Sequence, residues 1–214
     1  MSKIVRAMVM ALMICAAATT GTTAATTAAT TAATTAATGV SQKPPKADDV
    51  LQQAQAKAAD QNKAIFLIFG ASWCEACHQL DRFLSAPEVV AIFDKYFIIA
   101  KVSFGEAAGG HPDLDNPGSD DLITKYGGLP PGGGQVGLPF IAVLDAKGKL
   151  IVNSKVPGQN QAKGADANFA TDPEETRVFL SILKKGAPAL TDDETRKIQE
   201  ALHQAATNNR AATQ

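Results

Sequence analysis

Between residues 45 and 205 the apolar positions fall into short runs separated by polar, Gly-rich or Pro-rich joints, and each run has a readable period. Val50, Leu51 and the alanines from Ala54 to Ala59 lie in a Gly-free polar context between Pro45 and Asn62, which predicts an opening helix. Ala64-Ile65-Phe66-Leu67-Ile68-Phe69 follows, a continuous apolar run too short for a helix of this kind, and it reads as a strand buried on both faces. Gly70 ends it. Helical spacing resumes at Cys74 and runs to about Leu84. Ser85-Ala86-Pro87-Glu88 then has the S-x-x-E form of a capping box, opening a second helix to about Tyr96. Phe97 to Phe104 predicts a second strand. The stretch from Gly105 to Gly137 is rich in Gly, Pro and Asp, with one short helix expected at Ser119 to Tyr126. Phe140 to Leu144 and Leu150 to Val152 flank Asp145-Ala146-Lys147-Gly148-Lys149, a hairpin signature. Two T-x-x-E caps, Thr171-Asp172-Pro173-Glu174 and Thr191-Asp192-Asp193-Glu194, open helices expected to reach about Lys185 and Ala205. This order predicts an α/β domain, a central mixed β-sheet flanked by helices.

The N-terminus has a different texture. Lys3 and Arg6 precede an apolar run from Ala7 to Ala17, followed by Ala16-Ala17-Ala18, the small-residue pattern of a cleavable export signal. The run is roughly half the length of a membrane span. Residues 1–18 are therefore expected to be a signal peptide, and the protein to be extracytoplasmic, periplasmic or secreted. Leu12-Met13-Ile14-Cys15 is similar to a lipoprotein signal, but Ile14 stands where that pattern wants a small residue, so Cys15 is expected to be discarded rather than lipidated. From Thr22 to Thr38 the chain repeats Thr-Thr-Ala-Ala, without an aromatic or charged residue to build a core. Residues 19–44 are expected to form a disordered tether. The folded domain is expected at 45–188, with a C-terminal helix and tail at 189–214.

Composition narrows the function. The 214 residues are 45% hydrophobic, enough for a real core. Twenty basic residues against 21 acidic ones leave no electrostatic footprint for nucleic acid or an anionic membrane. Three cysteines cannot staple a disulfide scaffold, and Cys74 and Cys77 are too close in sequence to close a large loop. Chemistry is the better use for them.

Trp73-Cys74-Glu75-Ala76-Cys77 falls at the junction of the first predicted strand and a helix. At a helix N-terminus the unpaired backbone N–H groups and the dipole stabilise an anion, so Cys74 is more readily a thiolate, the form that attacks disulfides. Cys77 lies one turn further in, where a helical offset of three sets it beside Cys74 and lets it close a disulfide.

Here the chain resembles the thioredoxin superfamily. Phe69-Gly70-Ala71-Ser72-Trp73-Cys74-Glu75-Ala76-Cys77 matches Phe-x-Ala-x-Trp-Cys-x-x-Cys, and Gly137-Leu138-Pro139-Phe140 matches the Gly-x-Pro with which the family begins a strand facing the cysteines. Ala100-Lys101-Val102, Asp115 to Gly118, Lys125-Tyr126-Gly127 and the turn from Asp145 to Lys149 are similar to further family segments. The likeness covers roughly Ala64 to Lys185. Pro87-Glu88-Val89 is similar to the secreted subgroup that includes the C-terminal domain of the transmembrane thiol:disulfide interchange reductase. The resemblance implies a thioredoxin-like fold and a protein-disulfide oxidoreductase that needs no cofactor. It makes Cys74 the nucleophile and Cys77 the resolving thiol, with Trp73, Glu75, His78, Lys101 and Pro139 as active-site support. Leu138, Pro139 and Phe140 become the edge where substrate docks, with Pro139 cis. The partners implied are protein thiols and disulfides, with a membrane thiol donor or acceptor.

Two departures stand out. The position six before Cys74, where many family members bury an acid, is Ile68, so a proton relay there is absent or supplied by Glu75 or Lys101. Glu75 also replaces the usual Gly; its carboxylate disfavours a thiolate, while a protonated His78 acts in the opposite sense.

Other readings of the same residues exist. Cys74 to His78 satisfies C-x-x-C-H, the c-type haem attachment pattern, yet no Met follows Met13 to supply a sixth ligand, and no bound haem is expected. Cys74, Cys77 and His78 could hold Zn or Cu(I), but no second cluster closes such a site, and no metal is expected. A redox-inert domain with a structural disulfide is the third. Asp113 to Gly118 begins like a calcium loop but has Pro117 and Thr124 where ligands belong. Gly132-Gly133-Gly134 lacks phosphate-loop spacing, and Leu129 to Val136 is expected to rim the active site.

Overall fold

The computed structural model describes residues 43–130, 134, 136–155 and 173–212, the last five as backbone only. The expected signal peptide, the tether up to residue 42, Thr171 and Asp172 of one expected cap, and residues 131–133 and 135 of the expected rim lie outside them.

The elements run α1 (Ala47–Gln61), β1 (Ala64–Gly70), α2 (Glu75–Leu84), α3 (Pro87–Tyr96), β2 (Phe97–Ser103), two 3-10 turns (Glu106–Gly109 and Pro112–Leu114), α4 (Ser119–Lys125), β3 (Phe140–Leu144), β4 (Leu150–Asn153), α5 (Pro173–Gly186) and α6 (Asp192–Ala212). The sheet order is β2-β1-β3-β4. β1 pairs parallel with β2, which the helical crossover through α2 and α3 requires, and antiparallel with β3; the β3–β4 hairpin is antiparallel. The mixed sheet expected from the element order is the one observed.

Strand β1 is buried on both faces, and the pleat divides its side chains between two cores. Ile65, Leu67 and Phe69 join Phe140, Ala142 and Leu144 of β3 under α1 and α4. Phe66 and Ile68 join Ile141 and Val143 on the opposite face, against α2, α3, α5 and α6. The second core is aromatic at its centre: Phe66 meets Phe93 edge-on at 5.3 Å, and Phe179 of α5 meets both Phe66 and Phe83. Ile198, Ala201 and Leu202 of α6 enter this same core, so the C-terminal helix packs into the body of the domain.

The two predicted caps that fall wholly within the described residues had different outcomes. Thr191 and Glu194 form a reciprocal capping box: the Glu194 N–H donates to Thr191 Oγ1 (3.2 Å) and the Thr191 N–H to Glu194 Oε2 (3.0 Å). Ser85 does not cap α3. It ends α2, and its hydroxyl donates back to the Asp81 carbonyl (2.7 Å). Ala86 holds the N-cap position with Pro87 at the helix start. With two residues between the helices, Ser85 is already engaged by the first one, and Pro87 has no N–H in need of a cap.

Candidate functional site

β1 delivers the chain to the C-terminal edge of the sheet, where Ala71, Ser72 and Trp73 turn it into α2. Cys74 is the N-cap of α2, with an extended backbone, and its Sγ accepts the N–H of Cys77 at 3.2 Å. The sulfur therefore occupies the position that a Ser or Asp oxygen usually takes at a helix start. Cys77, one turn on, is disulfide-bonded to Cys74, with the Cα atoms 5.2 Å apart. Both cysteines are nearly buried, Cys74 at 3% and Cys77 at 8% exposure. Behind them Gly70 leaves the needed space: a Cβ there would lie 3.1 Å from Cys77 Sγ.

The Leu138–Pro139 peptide is cis. The antiparallel register pairs Phe69 with Phe140, which carries Pro139 opposite Gly70 and so beside the cysteine pair. Leu138 and Phe140 are buried in the same core as Cys74 and Cys77. The register thus sets Leu138, Pro139 and Phe140 at the same end of the sheet as the dithiol.

Trp73 is 43% exposed, and its indole N–H donates to the Gly105 carbonyl at 2.9 Å. It lies against Gly109, where a Cβ would meet Trp73 Cδ1 at 2.5 Å. Glu75 points into solvent and pairs with Arg82 at 2.8 Å; that guanidinium holds its carboxyl below the ordinary carboxylate range. His78 Nε2 engages the Ser72 carbonyl at 2.8 Å. Lys101 pairs with Asp81 of α2 at 2.6 Å. Ile68 is buried in the second core, as apolar as its neighbours.

Two features escape sequence reasoning. Cys74 as a cap was legible only as a helix start, and the side-chain geometry came with the fold. Glu106 carried no signal beyond an isolated acid beside Gly105. It is nevertheless 2% exposed, and its two oxygens accept the Ser72 N–H (2.9 Å) and Ser72 hydroxyl (2.6 Å). Among the described residues no three His, Cys, Asp or Glu side chains group closely enough to hold a metal ion, and no helix is long and apolar enough to cross a membrane.

A family model described as thioredoxin-like matches residues 47–146. Among solved structures the chain is similar to a disulphide isomerase from Xylella fastidiosa Temecula1, at 24% identity over 52% of this chain and 76% of that one, with a TM-score of 0.40. It is similar to a thioredoxin from Thermus thermophilus at 18% identity, over 69% of this chain and 94% of the other, with a TM-score of 0.37. A DsbH oxidoreductase matches at 17% identity, over 63% and 79%, with the same TM-score of 0.37. No curated protein matches the chain.

Proposed function

From the premise that this chain belongs to the thioredoxin superfamily and carries its cysteine pair at the start of α2, we propose that it is an extracytoplasmic thiol-disulfide oxidoreductase acting on proteins. The observation that carries this reading is the cap: Cys74 Sγ accepts a backbone N–H while bonded to Cys77, so the same donor and the helix start favour a thiolate once the bond opens. In the reducing direction the Cys74 thiolate attacks one sulfur of a client disulfide. The client S–S bond breaks, its other sulfur leaves as a thiolate and takes a proton, and a mixed disulfide to Cys74 remains. Deprotonated Cys77 then attacks Cys74 Sγ, re-forming the Cys74–Cys77 bond and releasing the second client thiol. The client gains two electrons and the pair loses two; the oxidising direction is the same path reversed.

Low exposure of both cysteines suits a client that offers an extended or protruding segment rather than a flat face. The edge at Pro139, which has no N–H to tie it to a neighbouring strand, supports docking of such a segment as an added strand, flanked by Leu138 and Phe140. The export-signal pattern at 1–18 supports placement outside the cytoplasm, where a membrane thiol donor or acceptor would reset the pair. Mixed-disulfide trapping tests the assignment of roles. Cys77→Ser is expected to accumulate client adducts on Cys74; adducts that accumulate only in Cys74→Ser would reverse the two roles, and none in either would refute exchange with proteins.

A further inference from the structure

The turn after β2 carries a buried carboxylate whose described partners lie on the segment that delivers Cys74. Glu106 receives both the N–H and the hydroxyl of Ser72, a residue 34 positions earlier, on separate oxygens at 2.9 and 2.6 Å. Burying a carboxylate to 2% exposure is costly unless donors meet it, and here Ser72 supplies them. Among the described residues no Lys, Arg or His forms an ion pair with it.

The residues around Glu106 grip the next position. The Gly105 carbonyl accepts the Trp73 indole N–H, and Gly109 packs against the Trp73 side chain. One turn therefore fixes the two residues that immediately precede Cys74. The turn is itself anchored: the Glu106 N–H donates to Asp115 Oδ1 (3.1 Å), while Asn116 Oδ1 accepts the Ser103 N–H (2.6 Å) and Asn116 Nδ2 donates to the Pro45 carbonyl (2.7 Å).

Ser72 lies two residues from Cys74, so chain reach puts the carboxylate within roughly 15 Å of the nucleophilic sulfur. Other charged or titratable groups at this corner include Glu75, which is paired with Arg82, His78, which engages the Ser72 carbonyl, Asp115, and His111, whose backbone N–H donates to the Glu106 carbonyl at 3.1 Å. Glu106 differs from Glu75 and His78 in being buried, where a charge is screened least.

We infer that Glu106 is the positioning residue of the dithiol centre: through Ser72 it holds Trp73 and Cys74 in register with the edge at Pro139, and its negative charge opposes ionisation of Cys74, biasing the pair towards the disulfide. The inference rests on the dithiol reading above. Opposing the thiolate destabilises the reduced form, so in the reaction of the protein disulfide with two glutathione thiols, giving protein dithiol and glutathione disulfide, the charge shifts the balance towards reactants.

Glu106→Gln keeps the clamp, since its amide oxygen can accept the Ser72 N–H and its amide nitrogen can donate to Ser72 Oγ, but it removes the charge. Its Cys74 thiolate titration is expected to move to lower pH, and its glutathione equilibrium to shift towards the dithiol by about threefold or more, the size of a modest electrostatic coupling. Glu106→Ala removes the clamp as well. It is expected to exchange with a small disulfide about tenfold more slowly, with altered Trp73 emission, and Glu106→Gln should recover most of that rate. An unmoved titration and equilibrium in Glu106→Gln would overturn the inference, as would a folded Glu106→Ala with wild-type rate and emission. If Glu106→Ala does not fold, Glu106→Gln decides alone. Neither glutathione equilibration nor thiol titration needs a client protein, so a chain inert towards all clients whose titration still shifts in Glu106→Gln would sink the protein-substrate reading and sustain this one.

Discussion

Glu194 ties α6 to the rest of the domain, and removing its charge should cost stability in a way that disappears in acid. Its Oε1 accepts from Lys95 Nζ (2.8 Å), and its Oε2 accepts from the Tyr96 hydroxyl (2.7 Å), the Thr191 N–H (3.0 Å) and the Thr191 hydroxyl (3.0 Å). Lys95, then the Thr191 backbone and Tyr96, hold its carboxyl down from 4.5 to about 2. At about 1.4 kcal/mol per unit the full shift corresponds to about 3 kcal/mol. The Lys95 side chain is 59% exposed, so solvent screens the leading contribution. A realistic loss on Glu194→Gln is about 1–2 kcal/mol at neutral pH. The folded-state value is depressed, so this stability is fully present above the unfolded value near 4.5 and fades as pH falls through about 2. Urea unfolding of wild type and Glu194→Gln between about pH 7 and about pH 2.5 should therefore show a gap that narrows on acidification. A gap that stays constant with pH, or none at neutral pH, would refute the electrostatic account of how this helix is held.

Gly109→Ala would place a Cβ 2.5 Å from Trp73 Cδ1, so the ring must swing away and give up its bond to the Gly105 carbonyl. Trp73 is the chain's one tryptophan, and its emission should shift while disulfide exchange slows by about fivefold, the worth of one neutral hydrogen bond; unchanged emission would contradict the packing described. Gly186→Ala at the end of α5 would push a Cβ to 2.5 Å from Val143 Cγ1 and 3.1 Å from the Phe97 ring. Both neighbours belong to the second core, so thermal unfolding should reveal a loss of about 1–3 kcal/mol, without change in the redox equilibrium of the cysteines.

The parts of the fold that could be read in the sequence are those whose cause is local. Ala64 to Phe69 announces a strand buried on both faces because no polar residue interrupts it, and Thr191 with Glu194 announces a helix start because each satisfies the other. Ser85 with Glu88 has the same spacing and a different outcome, because the serine hydroxyl was already committed to the helix before it. Spacing identifies a pair that could cap, not which helix a hydroxyl serves. The same limit applies in the site. Cys74 and Cys77 are legible because a strand–turn–helix junction places them, and Pro139 through its Gly-x-Pro resemblance, which the strand register then sets opposite Gly70. The Asp81 partner of Lys101 and the Ser72 partner of Glu106 lie 20 and 34 positions away. No periodicity connects such residues; only the folding of β2 beside β1 does, carrying the turn after β2 up against the turn after β1.

That juxtaposition also bears on what sets the acidity of Cys74. Glu75 and His78 flank the pair with opposite effects on a thiolate, and sequence alone leaves their sum undecided. The structure gives each its own partner. Glu75 contacts the Arg82 guanidinium in solvent, so the two charges act on the sulfur as a dipole, whose field falls off faster than that of a single charge and is further weakened by water. His78 engages the Ser72 carbonyl. What meets the sulfur at contact is the backbone: the Cys77 N–H at 3.2 Å and the helix start behind it. These donors come with the fold and do not depend on what occupies positions 75 and 76. The remaining influence on the sulfur is then any buried charge nearby. Here Ile68 contributes none, and Glu106, clamped to Ser72, contributes one from the neighbouring turn.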